Sequence, residues 1–281
     1  MIPLAGGWFH MGASASPHPE DGEAPERKVF VDPFSLSSAA VTIADFARFV
    51  AATGFETLAE RSGGSFVFHS FTDPSTDYPA AAHAPWWRLV PTACWHAPDG
   101  VAGSGKSTPD HPVTHVALQD ALAYCKWSGT RLLSEAEWEF AARGGLDRQP
   151  FPWGDQLEPD GEHRCNVWQG QFPKTNSAAD GYAGTAPVTA FQPNDFGLYN
   201  MTGNVWEWVA DRFTTLHSPR PVKNPRGALN GAQFVAKGGS YLCHATYCSR
   251  YTVSARQGLA PDTTTGNVGF RVAAKSPAPS A

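Results

Sequence analysis

Residues 134–145 read S-E-A-E-W-E-F-A-A-R-G-G and carry the strongest local signal in this chain. Ser134 and Glu137 have the spacing of a capping box, in which each side chain accepts a hydrogen bond from the backbone N–H of the other residue. Trp138 and two alanines follow at helical spacing, and the Gly144-Gly145 pair ends the pattern. The segment therefore predicts a short amphipathic helix with one face packed against a core.

Two more short helices are predicted in the first half of the chain. One begins at Thr42 and ends at Gly54, and the other runs from about Leu118 to Lys126. Their apolar positions repeat at helical spacing and are Ile43, Phe46, Phe49 and Val50 in the first helix and Leu118, Ala121, Leu122 and Cys125 in the second. Alternating apolar and polar residues predict strands at residues 28–38 and near residues 268–273. Because the helices are short, we expect them to flank a core rather than to span one.

The second half of the chain lacks regular periodicity. From Phe151 onward Gly, Asn, Asp and Trp alternate at short range. Gly and Pro together make 51 of the 281 residues (27 + 24), about 18% against a usual total near 12%. No linker-like run divides the chain, and its length fits one large core. We therefore predict a single irregular, loop-rich α+β domain over residues 1–274, followed by a flexible tail at residues 275–281.

Composition, charge and context exclude several classes of protein. A hydrophobic content of 42% excludes a disordered chain, and a net charge of -5 provides no basic surface for nucleic acid. No apolar run approaches the roughly 18 residues that a membrane helix needs, and no secretory signal pattern is present. Residues 100–107, G-V-A-G-S-G-K-S, match a phosphate-binding loop, but Pro109 and Pro112 stand where its helix should begin. We expect a cytoplasmic protein that binds neither nucleic acid nor membrane.

The cysteines carry the clearest chemical signal. The five are Cys94, Cys125, Cys165, Cys243 and Cys248, an odd and low count that is unlike a disulfide framework. Four residues separate Cys243 from Cys248 within G-G-S-Y-L-C-H-A-T-Y-C-S-R-Y at residues 238–251. The pair could form a strained local disulfide, remain two inert core thiols, or bind a metal. Two thiolates suit Cu(I), whereas structural zinc needs four ligands, for which His244 is a candidate third.

The segment at residues 238–251, followed by G-N-V-G-F-R-V, resembles the active-site segment of the formylglycine-generating enzymes, or sulfatase-modifying factors. The resemblance extends from Ile2 to about Ala274 and includes G-W-F-H-M-G, D-G-E-A-P, H-A-P-W-W, R-L-L-S-E-A-E-W-E-F, F-P-W-G-D and G-L-Y-N-M-T-G-N-V-W-E-W. It implies a C-type-lectin-related fold with little regular secondary structure. The scaffold motifs are shared by a wider superfamily and indicate fold alone, so the spaced cysteines are the specific part.

The resemblance also implies a reaction and its residues. Members of that family oxidise a cysteine within a C-x-P-x-R-type motif of an unfolded sulfatase to Cα-formylglycine, using O2 and copper. By position, Cys243 and Cys248 are the implied Cu(I) ligands and catalytic thiols. Ser240 and Tyr247 are implied as further catalytic residues, and His244, Arg250 and Asn267 as substrate-binding residues. Ordinary loop hydrogen bonds remain the alternative role for the polar side chains of this segment.

Two structural Ca2+ sites are implied in the same way. The first would use the Asn166 side chain, the Val167 carbonyl, the Asp180 carboxylate and the Tyr182 carbonyl. The second would use the Asn200 side chain, the Gly203 and Val205 carbonyls and the Glu207 carboxylate, an oxygen set suited to Ca2+. Glu207 lies between two tryptophans, where an unpaired buried carboxylate would be costly and a hard cation would satisfy it. Without the resemblance, Asn and Asp in the first set are typical of turns.

Cys94, Cys125 and Cys165 lie outside the segment that carries the family resemblance of the cysteine pair. Cys125 aligns with a disulfide cysteine of secreted vertebrate members, but the partner position holds Val272, so we expect no disulfide there and assign Cys94 and Cys165 as buried thiols. The alternative function is a non-catalytic peptide- or ligand-binding module on the same scaffold, against which the cysteine pair argues. An iron-dependent sulfoxide synthase would need an additional helical domain that supplies histidines.

Overall fold

The computed structural model describes residues 1–103 and 107–274. Residues 104–106 of the phosphate-loop-like motif and the predicted tail at 275–281 lie outside the described residues. The helices are α1 (Ile43–Thr53), α2 (Leu58–Ser62), α3 (Leu118–Ser128) and α4 (Glu135–Ala142). The strands are β1 (Ile2–Leu4), β2 (Gly7–Met11), β3 (Arg27–Val31), β4 (Phe34–Leu36), β5 (Ser65–Phe68), β6 (Ala80–Ala81), β7 (Ala84–Val90), β8 (Thr130–Arg131), β9 (Gly170–Gln171), β10 (Thr175–Asn176), β11 (Trp206–Arg212), β12 (Val222–Lys223), β13 (Phe234–Lys237), β14 (Arg256–Leu259), β15 (Val268–Phe270) and β16 (Ala273–Ala274).

The three predicted helices are confirmed, because their signals are local. The capping box of α4 forms at Ser134, and Thr42 caps α1 in the same way, since its side chain accepts from the Asp45 N–H. Gly54 ends α1 in the left-handed conformation. The expected face of α3 is wrong at Leu122, which is 48% exposed. Tyr124 is buried instead. The buried face of α3 is therefore rotated slightly from the face that the sequence pattern predicted.

The predicted strands are shorter than their sequence patterns. The segment at 28–38 is two strands, β3 and β4, because Asp32-Pro33 interrupts it and proline has no N–H to donate. The segment at 268–273 is likewise divided between β15 and β16. Strand β11 was not predicted from the sequence. Its residues are nearly all buried, including the polar Glu207 and Asp211, so burial along the strand does not follow an apolar–polar alternation.

A central four-stranded sheet organises the core. Its strand order is β14-β13-β11-β15, with the β11 and β15 pair parallel and the other pairs antiparallel. One face packs Trp206 and Trp208 of β11 against α1 and α3, and the other packs Val209 against the cluster that contains Trp138 of α4. Both faces of this sheet are therefore covered by apolar side chains.

Small sheets join distant parts of the chain around this core. Strand β16 pairs with both β4 and β8, which links the two ends of the described chain in the sheet β1-β4-β16-β8. The remaining sheets have the orders β12-β3-β2, β5-β7-β6 and β10-β9. The predicted α+β class with low regular secondary structure is confirmed. No helix in the described ranges combines the length and apolar character needed to cross a bilayer.

Candidate functional site

The cysteine segment lines a cavity of about 230 Å³ between β14, β15 and the aromatic end of β7. The lining includes six of the seven residues that the sequence assigned to catalysis or substrate binding: Ser240, Cys243, Tyr247, Cys248, Arg250 and Asn267. The seventh, His244, is not part of the lining, and its Nδ1 is occupied by the Thr246 hydroxyl and N–H. The structure thus brings six of these predicted residues to one place.

Two consecutive turns bring the cysteines together. Cys243 N–H donates to the Ser240 carbonyl (2.9 Å), and Cys248 N–H donates to the His244 carbonyl (2.8 Å). The segment enters these turns through Gly239, which has φ +75°, and a Cβ there would overlap the Arg250 carbonyl. Only glycine allows the start and the end of the segment to approach so closely.

The two sulfur atoms are in contact but not bonded. Cys243 Sγ lies 3.0 Å from Cys248 Sγ, whereas a disulfide bond is about 2.05 Å long. Both cysteines are free thiols, 1% and 8% exposed respectively. The cavity therefore presents two converging soft donors.

The cysteine pair is electrostatically asymmetric. A hydrogen bond from the Cys243 thiol lowers the pKa of Cys248 to about 7, against the opposing effect of burial and with help from Arg250. Burial, and the donation of this same hydrogen bond, raise the pKa of Cys243 well above its ordinary value. As pH rises through about 7 the pair therefore loses its first proton from Cys248, and the second proton stays on Cys243.

A chain of hydrogen bonds fixes Ser240 at the cavity wall. Thr265 Oγ1 donates to Asn267 Oδ1 (2.8 Å), and Asn267 Nδ2 donates to Ser240 Oγ (3.1 Å). Ser240 N–H donates in turn to Cys243 Sγ (3.4 Å). Because Ser240 Oγ accepts from Asn267, its own proton is left to donate towards the cysteine pair.

Two acidic residues near the start of the chain position Arg250. Its Nε donates to Asp21 and its Nη2 donates to Glu20 Oε1 (3.0 Å). Burial opposes its charge, but Asp21 and the neighbouring Cys248 raise its pKa above the ordinary value. Arg250 therefore remains a positioned cation beside Cys248.

Aromatic rings form the outer wall of the cavity. Tyr247 stacks on Phe172, with ring centroids 4.2 Å apart and planes within 4°, and meets Trp86 edge-on at 4.8 Å. Burial, and then the two cysteines, raise the pKa of Tyr247 to about 12, so its phenol stays neutral at pH 7. Tyr247 is nonetheless 44% exposed, which places it at the mouth of the cavity.

Two residues of the first predicted Ca2+ set contact Asp180 through their backbone N–H groups. Its Oδ2 accepts from Val167 N–H (3.2 Å) and its Oδ1 accepts from Tyr182 N–H (3.0 Å). Asn166 is fully buried, and its Oδ1 has no hydrogen-bond partner among the described residues. A buried carbonyl oxygen without a donor is costly, and a hard cation would satisfy it.

The second predicted Ca2+ set needs one correction. Glu207 is not an unpaired carboxylate: it accepts from Arg271 Nε (2.6 Å) and Nη2 (2.8 Å) and from Trp138 Nε1 (2.7 Å). Arg271 lies 64 residues along the chain, which is why the sequence did not indicate the pairing. Oε1 accepts a single bond and retains a lone pair for a cation, and Asn200 Oδ1 is buried without a partner in the described structure.

Both oxygen sets are attached to the cysteine segment. Trp168, which directly follows Asn166 and Val167 of the first set, donates its N–H to the Cys243 carbonyl (3.0 Å). In the segment that carries the second set, Gly203 N–H donates to the Gly238 carbonyl (2.8 Å). The neighbouring Asn204 carbonyl accepts from Tyr241 N–H (3.0 Å). The position of the two sulfurs therefore depends on the conformation of both oxygen-rich segments.

Comparison with known proteins identifies the family. The profile described as "Sulfatase-modifying factor enzyme 1-like domain" matches residues 1–276. The chain belongs to this family. The resemblance inferred from the sequence motifs is thereby confirmed.

Individual members of the sulfatase-modifying factor family align over nearly the whole chain. A "Formylglycine-generating enzyme" of Thermomonospora curvata is 51% identical over 98% of this chain and 93% of its own length. One of Bos taurus is 48% identical over 98% of this chain and 74% of its own length. A protein of Mus musculus named "Inactive C-alpha-formylglycine-generating enzyme 2" is 42% identical over 99% of this chain and 87% of its own.

A solved structure supports the fold of this family member. PvdO from Pseudomonas aeruginosa superposes with a TM-score of 0.72 at 25% identity, covering 96% of this chain and 92% of that one.

Several site residues were not assigned from the sequence. Trp86 lies in the family motif H-A-P-W-W, which offered a signal without a role. Asp21 lies in D-G-E-A-P, but its contact with Arg250 spans 229 residues and leaves no local trace. Thr265 precedes Asn267 by two residues, a spacing at which a hydroxyl readily reaches a neighbouring polar group.

Proposed function

We propose that this protein converts a cysteine in a C-x-P-x-R-type motif of a sulfatase to Cα-formylglycine, with copper and O2. The observation that carries the proposal is the pair of unbonded sulfurs, Cys243 and Cys248, 3.0 Å apart inside a cavity. The names of the relatives at 48% and 51% identity support the same reaction.

The donor set fits Cu(I). The described residues that line the cavity include no imidazole or carboxylate, so the two thiol sulfurs are soft, low-coordinate ligands, and Cys243 and Cys248 would hold the ion. Cu(I), when bound there, supplies the one-electron chemistry through which O2 reacts with the substrate thiol. His244 does not face the cavity, so the four-ligand set of structural zinc is less well supported.

The net reaction balances with a thiol reductant. One peptidyl cysteine thiol, one O2, two electrons and two protons give one aldehyde, one hydrogen sulfide and one water. The C–S bond of the substrate breaks, its β-carbon is oxidised, O2 is reduced, and the reductant supplies the two electrons. The reaction class is therefore an oxidoreduction on a sulfur-bearing carbon with O2 as the acceptor.

The residues of the cavity have separate tasks in this proposal. Cys248 carries the negative charge of the pair at Sγ, and the adjacent Arg250 stabilises it. Cys243 holds the second proton, which leaves the pair when a metal binds, because a metal-bound cysteine must be a thiolate. Ser240, fixed by Asn267, directs its hydroxyl proton towards the sulfurs and would orient the incoming substrate thiol.

The size of the cavity favours an unfolded client. A volume of about 230 Å³ admits a side chain with its adjoining backbone but not a folded loop with its supporting structure. Tyr247, Phe172 and Trp86 would line the entry with rigid aromatic rings that pack against an extended peptide. An unfolded sulfatase segment is therefore the proposed partner.

We also propose that Ca2+ occupies the two oxygen-rich sets as a structural ion. The buried, unpartnered Asn166 and Asn200 oxygens support this assignment. His244 remains proposed as a substrate contact outside the cavity, on the exposed side of the cysteine segment.

The test is mass spectrometry of the peptide L-C-T-P-S-R after incubation with the protein, Cu(I), a thiol reductant and O2. We expect the mass loss that accompanies conversion of the thiol-bearing side chain to an aldehyde, dependent on copper and absent for a peptide with serine at the reacting position. Cys243→Ala and Cys248→Ala should abolish conversion. Cys125→Ala, a buried thiol outside the cavity, is the matched control and should convert normally.

A non-catalytic peptide-binding module is the second candidate. The inactive mouse relative at 42% identity shows that the family includes members described as inactive. Peptide binding by folded, copper-loaded protein without any mass loss would favour this candidate, and it would contradict the oxidase.

A further inference from the structure

A second group of metal-ligating side chains lies away from the cysteine cavity. One ligand atom each of Glu60, Cys94 and His96 lies within 4.8 Å of the other two. None of the three lines the cavity that contains Cys243 and Cys248. The proposed reaction therefore does not account for this cluster.

The fold holds these three side chains in place from two directions. Glu60 belongs to α2, and its Oε2 accepts from Thr57 N–H (2.8 Å) and Thr57 Oγ1 (2.6 Å) in the capping box. This leaves Oε1 to face His96 Nε2 at 3.3 Å. Cys94 lies in a tight turn in which Cys94 and Ala97 exchange backbone hydrogen bonds of 3.2 and 3.1 Å.

The spacing of the cluster matches a tetrahedral ion. Zinc bonds of about 2.0–2.1 Å to nitrogen and oxygen place two such ligand atoms about 3.3 Å apart at the tetrahedral angle. The observed separation of His96 Nε2 and Glu60 Oε1 is 3.3 Å. Thus two of the ligand atoms already stand at the separation that the ion requires, and the sulfur lies within reach.

We propose that Glu60, Cys94 and His96 bind one Zn2+ ion, with water as the fourth ligand. One sulfur, one imidazole nitrogen and one carboxylate oxygen form a mixed set that suits zinc. Ca2+ and Mg2+ prefer oxygen ligands alone, and Cu(I) prefers sulfur. The site is thus chemically distinct from the cysteine pair and from both oxygen-rich sets.

Zinc at this position would attach α2 to the turn at residues 94–97. Ala59 of α2 already packs against Cys94 and Ala97 in a small apolar cluster. Trp95, between two of the ligands, packs on Phe46 at 5.3 Å within the large core cluster. The ion would therefore stabilise a connection between the surface and the core by binding only the folded state.

The test uses Co2+ as a spectroscopic substitute for zinc, on full-length Cys243→Ala/Cys248→Ala protein. We expect a sulfur-to-cobalt charge-transfer band and visible bands of tetrahedral intensity, with one equivalent bound. Cys94→Ser should abolish the charge-transfer band. His96→Ala should weaken Co2+ binding by more than the 10–100-fold that loss of an outer-shell partner costs. Cys125→Ala is the matched control and should leave the spectrum unchanged.

A second measurement does not depend on the double variant. Zinc bound by the otherwise unchanged protein, measured by competition with a chromophoric chelator, should fall by one equivalent on His96→Ala, a change at a side chain that is 49% exposed. A charge-transfer band that persists in the Cys94→Ser protein would overturn the proposal. So would equal zinc stoichiometry with and without His96.

Discussion

Selective alkylation of Cys248 in the metal-free protein would test the electrostatics of the site directly. The thiolate is the nucleophile towards iodoacetamide, so the rate follows the thiolate population. Cys248 has a pKa of about 7, chiefly because the Cys243 thiol donates a hydrogen bond to it. Burial raises the pKa of Cys125, an internal reference in the same sample, to about 11.

The expected difference in rate follows from these two pKa values. At pH 7 about half of Cys248 is thiolate, against about one part in 10⁴ of Cys125, a ratio of about 5 × 10³. A thiolate of lower pKa is intrinsically less nucleophilic, by about 60-fold over four pKa units at a Brønsted slope near 0.45. Cys248 should therefore react about 100-fold faster than Cys125 before any difference in access is added.

The assay is pulsed alkylation across a pH series, with each cysteine peptide quantified by mass spectrometry after chelation of metals. The Cys248 rate should rise with pH and level off above an inflection near 7. Cys243→Ala removes the donor while leaving Cys248 largely buried, so the inflection should move up towards or beyond the ordinary thiol value of 9.0. An inflection that stays near 7 in this variant would refute the assignment of Cys243 as the cause. Equal rates for Cys248 and Cys125 would refute the asymmetry itself.

Three further outcomes are expected. Glu207→Gln should leave the fully buried Arg271 without a counter-charge and lower the free energy of unfolding by about 3–5 kcal/mol. The Tm should fall, and adding Arg271→Met to the same chain should partly restore it. An unchanged Tm would contradict the pairing. Burial opposes ionisation of Glu139, but Lys237 and Arg143 lower its pKa to about 2. About 3 kcal/mol of the free energy of unfolding should therefore be present above pH 4.5 and lost as pH falls towards 2. Urea unfolding at each pH should show that stability depends less on pH in Glu139→Gln. Chelation of Ca2+ should lower the Tm and added Ca2+ should restore it, whereas Asn200→Leu, which removes a ligand of the second set only, should reduce the restoration and the double change Asn166→Leu/Asn200→Leu should abolish it; a Tm that ignores both treatments would contradict the calcium assignment.

The helices show how far local sequence determines this structure. The capping box at Ser134, the helix start at Thr42 and the stop at Gly54 form as expected because each depends on residues within one or two turns. The central strand β11 was missed for the opposite reason. Its residues are buried on both faces, and their pattern has meaning only once α4 and the rest of the sheet are in place.

At the cysteine site, too, local sequence determines some features and long-range contacts determine others. The spacing of Cys243 and Cys248 allowed their sulfurs to converge but left a disulfide, inert thiols and a metal site open, and the family resemblance favoured the paired ligands. Two tight turns within one segment bring the sulfurs together. The asymmetry of their protons was not predictable from that spacing. It depends on the hydrogen bond that the buried Cys243 thiol donates to Cys248 and on Arg250, which Asp21 holds from 229 residues away.

Charge pairing was decided by the tertiary structure alone. The sequence alone indicated an unsatisfied carboxylate at Glu207 between two tryptophans, and a cation was inferred to satisfy it. Arg271 provides that charge across the core, because parallel pairing of β11 with β15 brings the two segments side by side. The sequence by itself thus determined the helices, the family and the paired sulfurs, whose signals lie in short contiguous segments. Packing between distant segments determined which buried charges are paired and which oxygens remain free, because both depend on neighbours that only folding supplies.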